Sequence, residues 1–265
     1  MNRISPLSQG PQPKVVNCRI AEAPTNEGLA DSALFVPIRG ESAEGSVALF
    51  APMHYEANYG YPLVVWLHGT GSDEQQLKRI MPLVSLRNYV ALAVRGTVSM
   101  VSTAATNGTA RQRGYSWSQS RAHVALAEHA VLSALEMAAD RYHVAPDRVF
   151  LAGFGTGGTM ALRLALTYPS RFAGVLSLEG ELPKERAPLR RIADARRLPV
   201  LLASGRDSEV YPPPHVCDNL RLLHSAGMMV TLRHYPCGHE LSPMMLGDTD
   251  RWMMEQIARQ PAAVA

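Results

Sequence analysis

The residues best suited to chemistry stand just after short apolar runs. His68 lies in Leu67-His68-Gly69-Thr70-Gly71, Asp207 closes Ser204-Gly205-Arg206-Asp207, and His239 sits in Cys237-Gly238-His239-Glu240. An imidazole near neutral pH can take or give a proton, and a carboxylate beside it fixes which ring nitrogen is free to do so. A glycine-bearing turn such as residues 68–71 offers backbone N–H groups to an anionic oxygen. A fourth cluster, Gly153-Phe154-Gly155-Thr156-Gly157-Gly158, joins the apolar run Val149–Ala152 to an apolar pattern at helical spacing that ends near Pro169. It reads as strand, sharp turn and helix, the glycines letting the chain reverse and the helix come close to the sheet. At the centre of that turn, Gly155 carries no side chain.

The elements that must position these clusters are legible from periodicity. Leu63–Leu67, Val90–Val94, Val149–Ala152 and Val200–Ala203 are apolar throughout, and Phe172–Leu178 and Met229–His234 extend the series. Runs of this length without alternation suit strands buried on both faces, and helical segments between them predict a mostly parallel sheet with helices on both faces. The longest helix is predicted over Gln119–Arg141, with Ala122, Leu126, Ala130, Ala134 and Ala138 as the stripe facing the sheet. Upstream, Val15–Ile20, Ser32–Ile38 and Ser46–Pro52 are punctuated by Gly and Pro and read as antiparallel edge strands. The polar, glycine-bearing stretch between Gly96 and Trp117 is predicted to be a long loop at the carboxyl end of a strand, where open α/β sheets place ligands. The chain divides into residues 1–44, a Pro- and Ser-rich lead-in with edge strands, and one α/β domain over residues 45–260.

Composition narrows the function classes. Hydrophobic residues make up 46%, charged residues 18%, and the net charge is +3. The densest basic run, Arg186–Arg197, alternates with apolar residues and reads as the wet face of a helix rather than a nucleic-acid site. No apolar stretch approaches the roughly 18 residues of a membrane span. The opening residues have no apolar core of the secretory kind, so a cytoplasmic protein is expected. Cys18, Cys217 and Cys237 have no C-x-x-C spacing, which argues against a disulfide framework or a zinc site. No metal or cofactor is expected; oligomeric state is not legible.

Together these clusters resemble the phospholipase/carboxylesterase branch of the α/β-hydrolases, which includes small esterases and acyl-protein thioesterases, over roughly residues 45–260. Gly153, Gly155 and Gly157 fall on the nucleophile elbow G-x-S-x-G, with Gly155 where the family has serine. Leu67–Gly71 is similar to the HGxG turn, so the resemblance implies an oxyanion hole from the backbone N–H groups of Thr70 and Thr156, their side chains being dispensable. It also implies that Asp207 is the triad acid and His239 the base, in the family's chain order. His68, Gly69, Gly71, Tyr115 and Trp117 would border the substrate pocket, with Tyr115 and Trp117 forming a hydrophobic wall. Glu179 and Glu181 follow a strand but read as solvated loop charges. Thr156 and Cys237 are poor substitutes for the missing nucleophile, because the elbow aims only its middle residue and Cys237 reads as a small buried thiol.

The empty elbow admits three readings. The first is a silenced hydrolase that keeps an acyl- or carboxylate-binding pocket. The second is an enzyme whose His–Asp dyad acts as general base without a covalent step. In the third, glycine is a laboratory substitution in an ordinary serine esterase. The expected partner in each is a small ester or carboxylate, not nucleic acid.

Overall fold

The structure, a computed structural model, describes residues 35–38, 46–101, 113–184 and 191–259. The apolar runs form the strands β3 (Tyr61–Leu67), β4 (Val90–Val94), β7 (Val144–Phe154), β8 (Gly174–Leu178), β9 (Val200–Gly205) and β10 (Val230–Tyr235), of which β7 extends well beyond the expected Val149–Ala152 at its start. Upstream lie β1 (Phe35–Ile38) and β2 (Val47–Phe50), and β5 (Val98–Val101) and β6 (Arg113–Ser116) form a separate hairpin. The main sheet runs in the order β1-β2-β4-β3-β7-β8-β9-β10. All neighbours from β4 to β10 are parallel, while β1 and β2 run antiparallel at one edge. The expected strand Val15–Ile20 and the lead-in lie outside the described residues.

Helices cover both faces. On one, α1 (Gln76–Val84) and α6 (Pro243–Arg259) bury Leu77, Ile80, Met81, Leu246 and Trp252 against Val64, Trp66, Phe150 and Leu176. On the other, α2 (Arg121–Arg141) and α3 (Thr156–Thr167) pack on Leu63, Val65, Leu92 and Leu151, with α4 (Ile192–Ala195) and α5 (Pro213–Ser225) completing the layer. This double covering is why β3, β4, β8 and β9 are buried at every position.

Two expectations need correction. The buried stripe of α2 is Ala127, Val131, Ala134 and Ala138, whereas Leu126 is 56% exposed. A strict i, i+4 series gains about 40° per step on a helix of 3.6 residues per turn and so spirals off the sheet. The stretch after Gly96 is an antiparallel hairpin rather than an irregular loop, with its tip outside the described residues. Within the basic run, Arg186–Arg190 also lie outside them, and the remainder holds the single helical turn α4, with Arg196 and Arg197 exposed after it.

Candidate active site

Strand β7 ends at Phe154 and α3 begins at Thr156, so Gly155 is the whole of the turn between them. Its backbone sits at φ 54° and ψ −120°, a left-handed conformation that residues with a Cβ rarely adopt. Gly157 serves a different need. A Cβ there would overlap the carbonyls of Leu67 and His68, so its absence lets α3 press against the end of β3. A Cβ on Gly155 would meet only His239, 3.4 Å from Nε2 and 3.6 Å from Cε1. The elbow therefore opens onto free space bounded by the imidazole.

The carboxylate set against that imidazole is Glu179, which corrects both the expectation for Asp207 and the assignment of Glu179 to a solvated loop. His239 Nδ1 lies 2.9 Å from Glu179 Oε2. Ser208 Oγ donates to the same oxygen at 2.5 Å, and the Gly205 N–H donates to Oε1. Glu179 is 1% exposed, and these donors make its burial tolerable. The carboxylate accepts a hydrogen bond from Nδ1–H, which leaves the lone pair of Nε2 facing the space over Gly155. Asp207 is exposed, and among the described residues its carboxylate has no bond to His239. Only its backbone N–H reaches that loop, donating to Cys237 O at 3.1 Å. The loop after β9 thus anchors the histidine through its backbone and through Ser208.

Topology explains why Glu179 was missed and how it could have been found. β8 is the strand beside the elbow strand, with Leu178 opposite Phe154, and the Gly155 N–H donates to Leu178 O. The residue after Leu178 must then emerge next to Gly155. Glu179 does so at φ 57°, a positive value for a residue with a Cβ. Strain of this kind costs about 1–3 kcal/mol and gathers at functional sites. Glu181, by contrast, behaves as a surface charge, near Lys184 at 3.5 Å and His215 at 3.6 Å.

Thr70 and Thr156 are brought side by side. Neither backbone N–H has an acceptor among the described residues, whereas Gly71 N–H donates to Tyr115 O and Ser72 N–H to Gly69 O. Their side chains were expected to be idle but meet directly: Thr70 Oγ1 lies 3.0 Å from Thr156 Oγ1 and 3.0 Å from Ser116 Oγ.

His68 and Trp117 support the turn rather than border a pocket, being 0% and 4% exposed. The His68 Nδ1–H donates to Gly69 O at 2.8 Å, and Nε2 accepts the Gly96 N–H at 2.8 Å, which fixes the neutral tautomer. Burial holds the His68 pKa below its ordinary value, a fall that the Gly69 carbonyl only partly opposes. Trp117 Nε1–H donates to His68 O at 2.9 Å. Gly69 is buried within the same turn and Gly71 is exposed at φ 78°. Tyr115 is tied down as well: its backbone exchanges bonds with Gly71 and Ser72, and Arg95 stacks 4.7 Å above its ring. Arg95 in turn grips the buried Glu74 through two hydrogen bonds, linking β4, the hairpin and the turn. Cys237 is partly buried, and burial pushes its thiol pKa up, the wrong direction for a nucleophile. No group of three or more metal-ligating side chains occurs among the described residues, and no helix there is long and apolar enough to cross a membrane.

With an elbow, a buried carboxylate–histidine pair and spare N–H groups at one sheet edge, comparison with known proteins is decisive. A family model described as Phospholipase/Carboxylesterase matches residues 56–256. The chain belongs to the phospholipase/carboxylesterase family. Among its relatives, acyl-protein thioesterase 1 of Gibberella zeae is 30% identical over 118 residues, 43% of this chain and 50% of the fungal protein. An esterase-named protein of Nocardia uniformis subsp. tsuyamanensis is 32% identical over 162 residues, 58% of this chain and 42% of its own. The matched stretch thus spans half or less of these two relatives. Of solved structures, a carboxylesterase from Mesorhizobium loti superposes with a TM-score of 0.65 at 18% identity, covering 82% of this chain and 98% of that one. Arabidopsis thaliana SOBER1 gives 0.58 at 21% identity, covering 75% and 100%. These likenesses establish the α/β-hydrolase fold and kinship with ester hydrolases.

Proposed function

We propose that this family member binds a small acyl or carboxylate ligand over Gly155 and forms no acyl-enzyme. The observation that carries this reading is the elbow: the strained backbone of a nucleophile position is retained, and among the described residues the only side chain within reach is His239. The ligand's acyl oxygen would face the N–H groups of Thr70 and Thr156. A rice relative, 28% identical over 116 residues, is itself named a probable inactive carboxylesterase, which supports this reading. The test pairs two measurements. Titration with straight-chain carboxylates should give saturable binding, and intact mass after a fluorophosphonate should be unchanged. An adduct on Thr156 or Cys237, or no binding by any carboxylate, defeats the reading.

A second reading is favoured by the Glu179–His239 pair, since a buried carboxylate is costly to keep for no purpose. In it, Nε2 removes a proton from a water standing where serine would be, the water oxygen bonds to the ester carbonyl carbon, and the protonated imidazole then protonates the departing alkoxide. Turnover of p-nitrophenyl esters without a burst, abolished by His239→Gln, supports this version; absence of turnover leaves the binding protein.

A further inference from the structure

We propose that the hydroxyls of Thr70, Ser116 and Thr156 form a relay that adds a side-chain donor to the oxyanion pocket, with Thr156 touching the ligand's acyl oxygen. This rests on the ligand-binding reading of the same site. The three hydroxyls come from three elements: the turn after β3, the hairpin strand β6 and the first residue of α3. All are partly buried, and Thr70 Oγ1 is central, 3.0 Å from each of the other two. The remaining pair, Ser116 Oγ and Thr156 Oγ1, is 3.4 Å apart, near the limit for a bond between hydroxyls. Three hydroxyls carry three protons. The two good contacts use two of them whichever way they run, and none of the three hydroxyls donates to a further acceptor among the described residues.

One proton is therefore left to give. Thr156 directly succeeds Gly155 in the chain, and its own N–H is spare, so a ligand oxygen over the elbow would meet its hydroxyl first. The donor order becomes Ser116 to Thr70 to Thr156 to ligand, and each bond polarises the next. The relay also joins the two chain segments that supply the backbone donors, so filling the pocket and holding its halves together draw on the same bonds.

The experiment measures Kd by calorimetry for whichever of acetate, butyrate and octanoate binds the parent most tightly. Thr156→Val should weaken binding about tenfold, the loss of roughly one hydrogen bond, while Thr156→Ser should stay within about twofold of the parent. Thr70→Val and Ser116→Ala should weaken it progressively less, about fivefold and about twofold to threefold, because they only polarise the terminal donor. That gradient is the signature, since a purely structural role would track melting temperature instead. Parent-like affinity of Thr156→Val overturns the relay alone, as does a Thr156→Ser that binds as poorly as Thr156→Val, which would implicate the methyl group. A parent that binds no carboxylate overturns the site reading and the relay with it. Should Thr156→Val not fold, parent-like affinity of a folded Thr70→Val sinks the relay, and the expected fivefold loss sustains it.

Discussion

At the scale of single residues, Gly155 and Glu179 carry the consequences. Gly155→Ser would place a hydroxyl within reach of His239 Nε2, because the Cβ position is already 3.4 Å from it. Esterase activity and a fluorophosphonate adduct on residue 155 should appear together, with a stability loss of about 1–3 kcal/mol from a Cβ at φ 54°. Chemical denaturation and intact mass read both effects. In that background the two carboxylates can be told apart. Glu179→Gln should lower kcat by up to about 10⁴-fold, the scale set by amide replacement of a triad acid. Asp207→Asn, exposed and unpaired with the ring, should stay within about twofold. The reverse ranking would restore Asp207. His68 supplies a pH test. Its folded pKa lies below the ordinary 6.5, so on acidification the unfolded chain takes up a proton before the folded one. Its contribution to stability is complete above 6.5 and is lost as pH falls from there toward the folded value. Urea midpoints should thus decline between about pH 7 and pH 5 more steeply in the parent than in His68→Asn. Parallel declines would mean that other groups dominate.

At the scale of elements, the site depends on three segments held at contact distance. Gly157 allows α3 to meet the carbonyls at the end of β3, so Gly157→Ala must push the helix or the turn away. A loss of about 1–3 kcal/mol is expected from overpacking, accompanied by loss of ligand binding because the Thr70–Thr156 contact opens. Thermal melting and calorimetry on the same sample check this, and a destabilised variant with parent-like affinity would show that the two donors are set independently. The β5–β6 hairpin acts on the turn from the other side, through the backbone bonds of Tyr115 to Gly71 and Ser72 and the stacking of Arg95. Hydrophobic patterning could not reveal this hairpin. Its strands, VSMV and RGYS, are too short to show a period, RGYS has Tyr115 as its one large apolar side chain, and β6 is held by backbone bonds to the turn it covers.

At the scale of the whole molecule, what the sequence disclosed and what it withheld divide by mechanism. The doubly covered strands are readable because burial on both faces forces apolar residues into continuous runs, Gly155 because it closes such a run, and His239 because it follows the strand-like stretch Met229–His234. Glu179 is not, because its role depends on strand order: only the adjacency of β7 and β8 brings it beside the elbow. The α2 stripe failed through phase, where small residues at strict four-residue spacing drift around the helix. The same strand order predicts a stability map. Amide exchange should be slowest in β3 and β7, in the sheet interior and covered by helices on both sides, and faster in the edge strands β1 and β10. Protection of β10 equal to that of β7 would indicate that the edge is covered by something further.

The backbone angle at Gly155 also bears on heredity. Glycine codons GGC and GGT differ by one base from the serine codons AGC and AGT. A chain whose elbow already holds φ 54° with an imidazole facing it would need no rearrangement to receive that serine. Serine at residue 155 is then barred by no steric clash, only by the stability that glycine confers at that backbone angle.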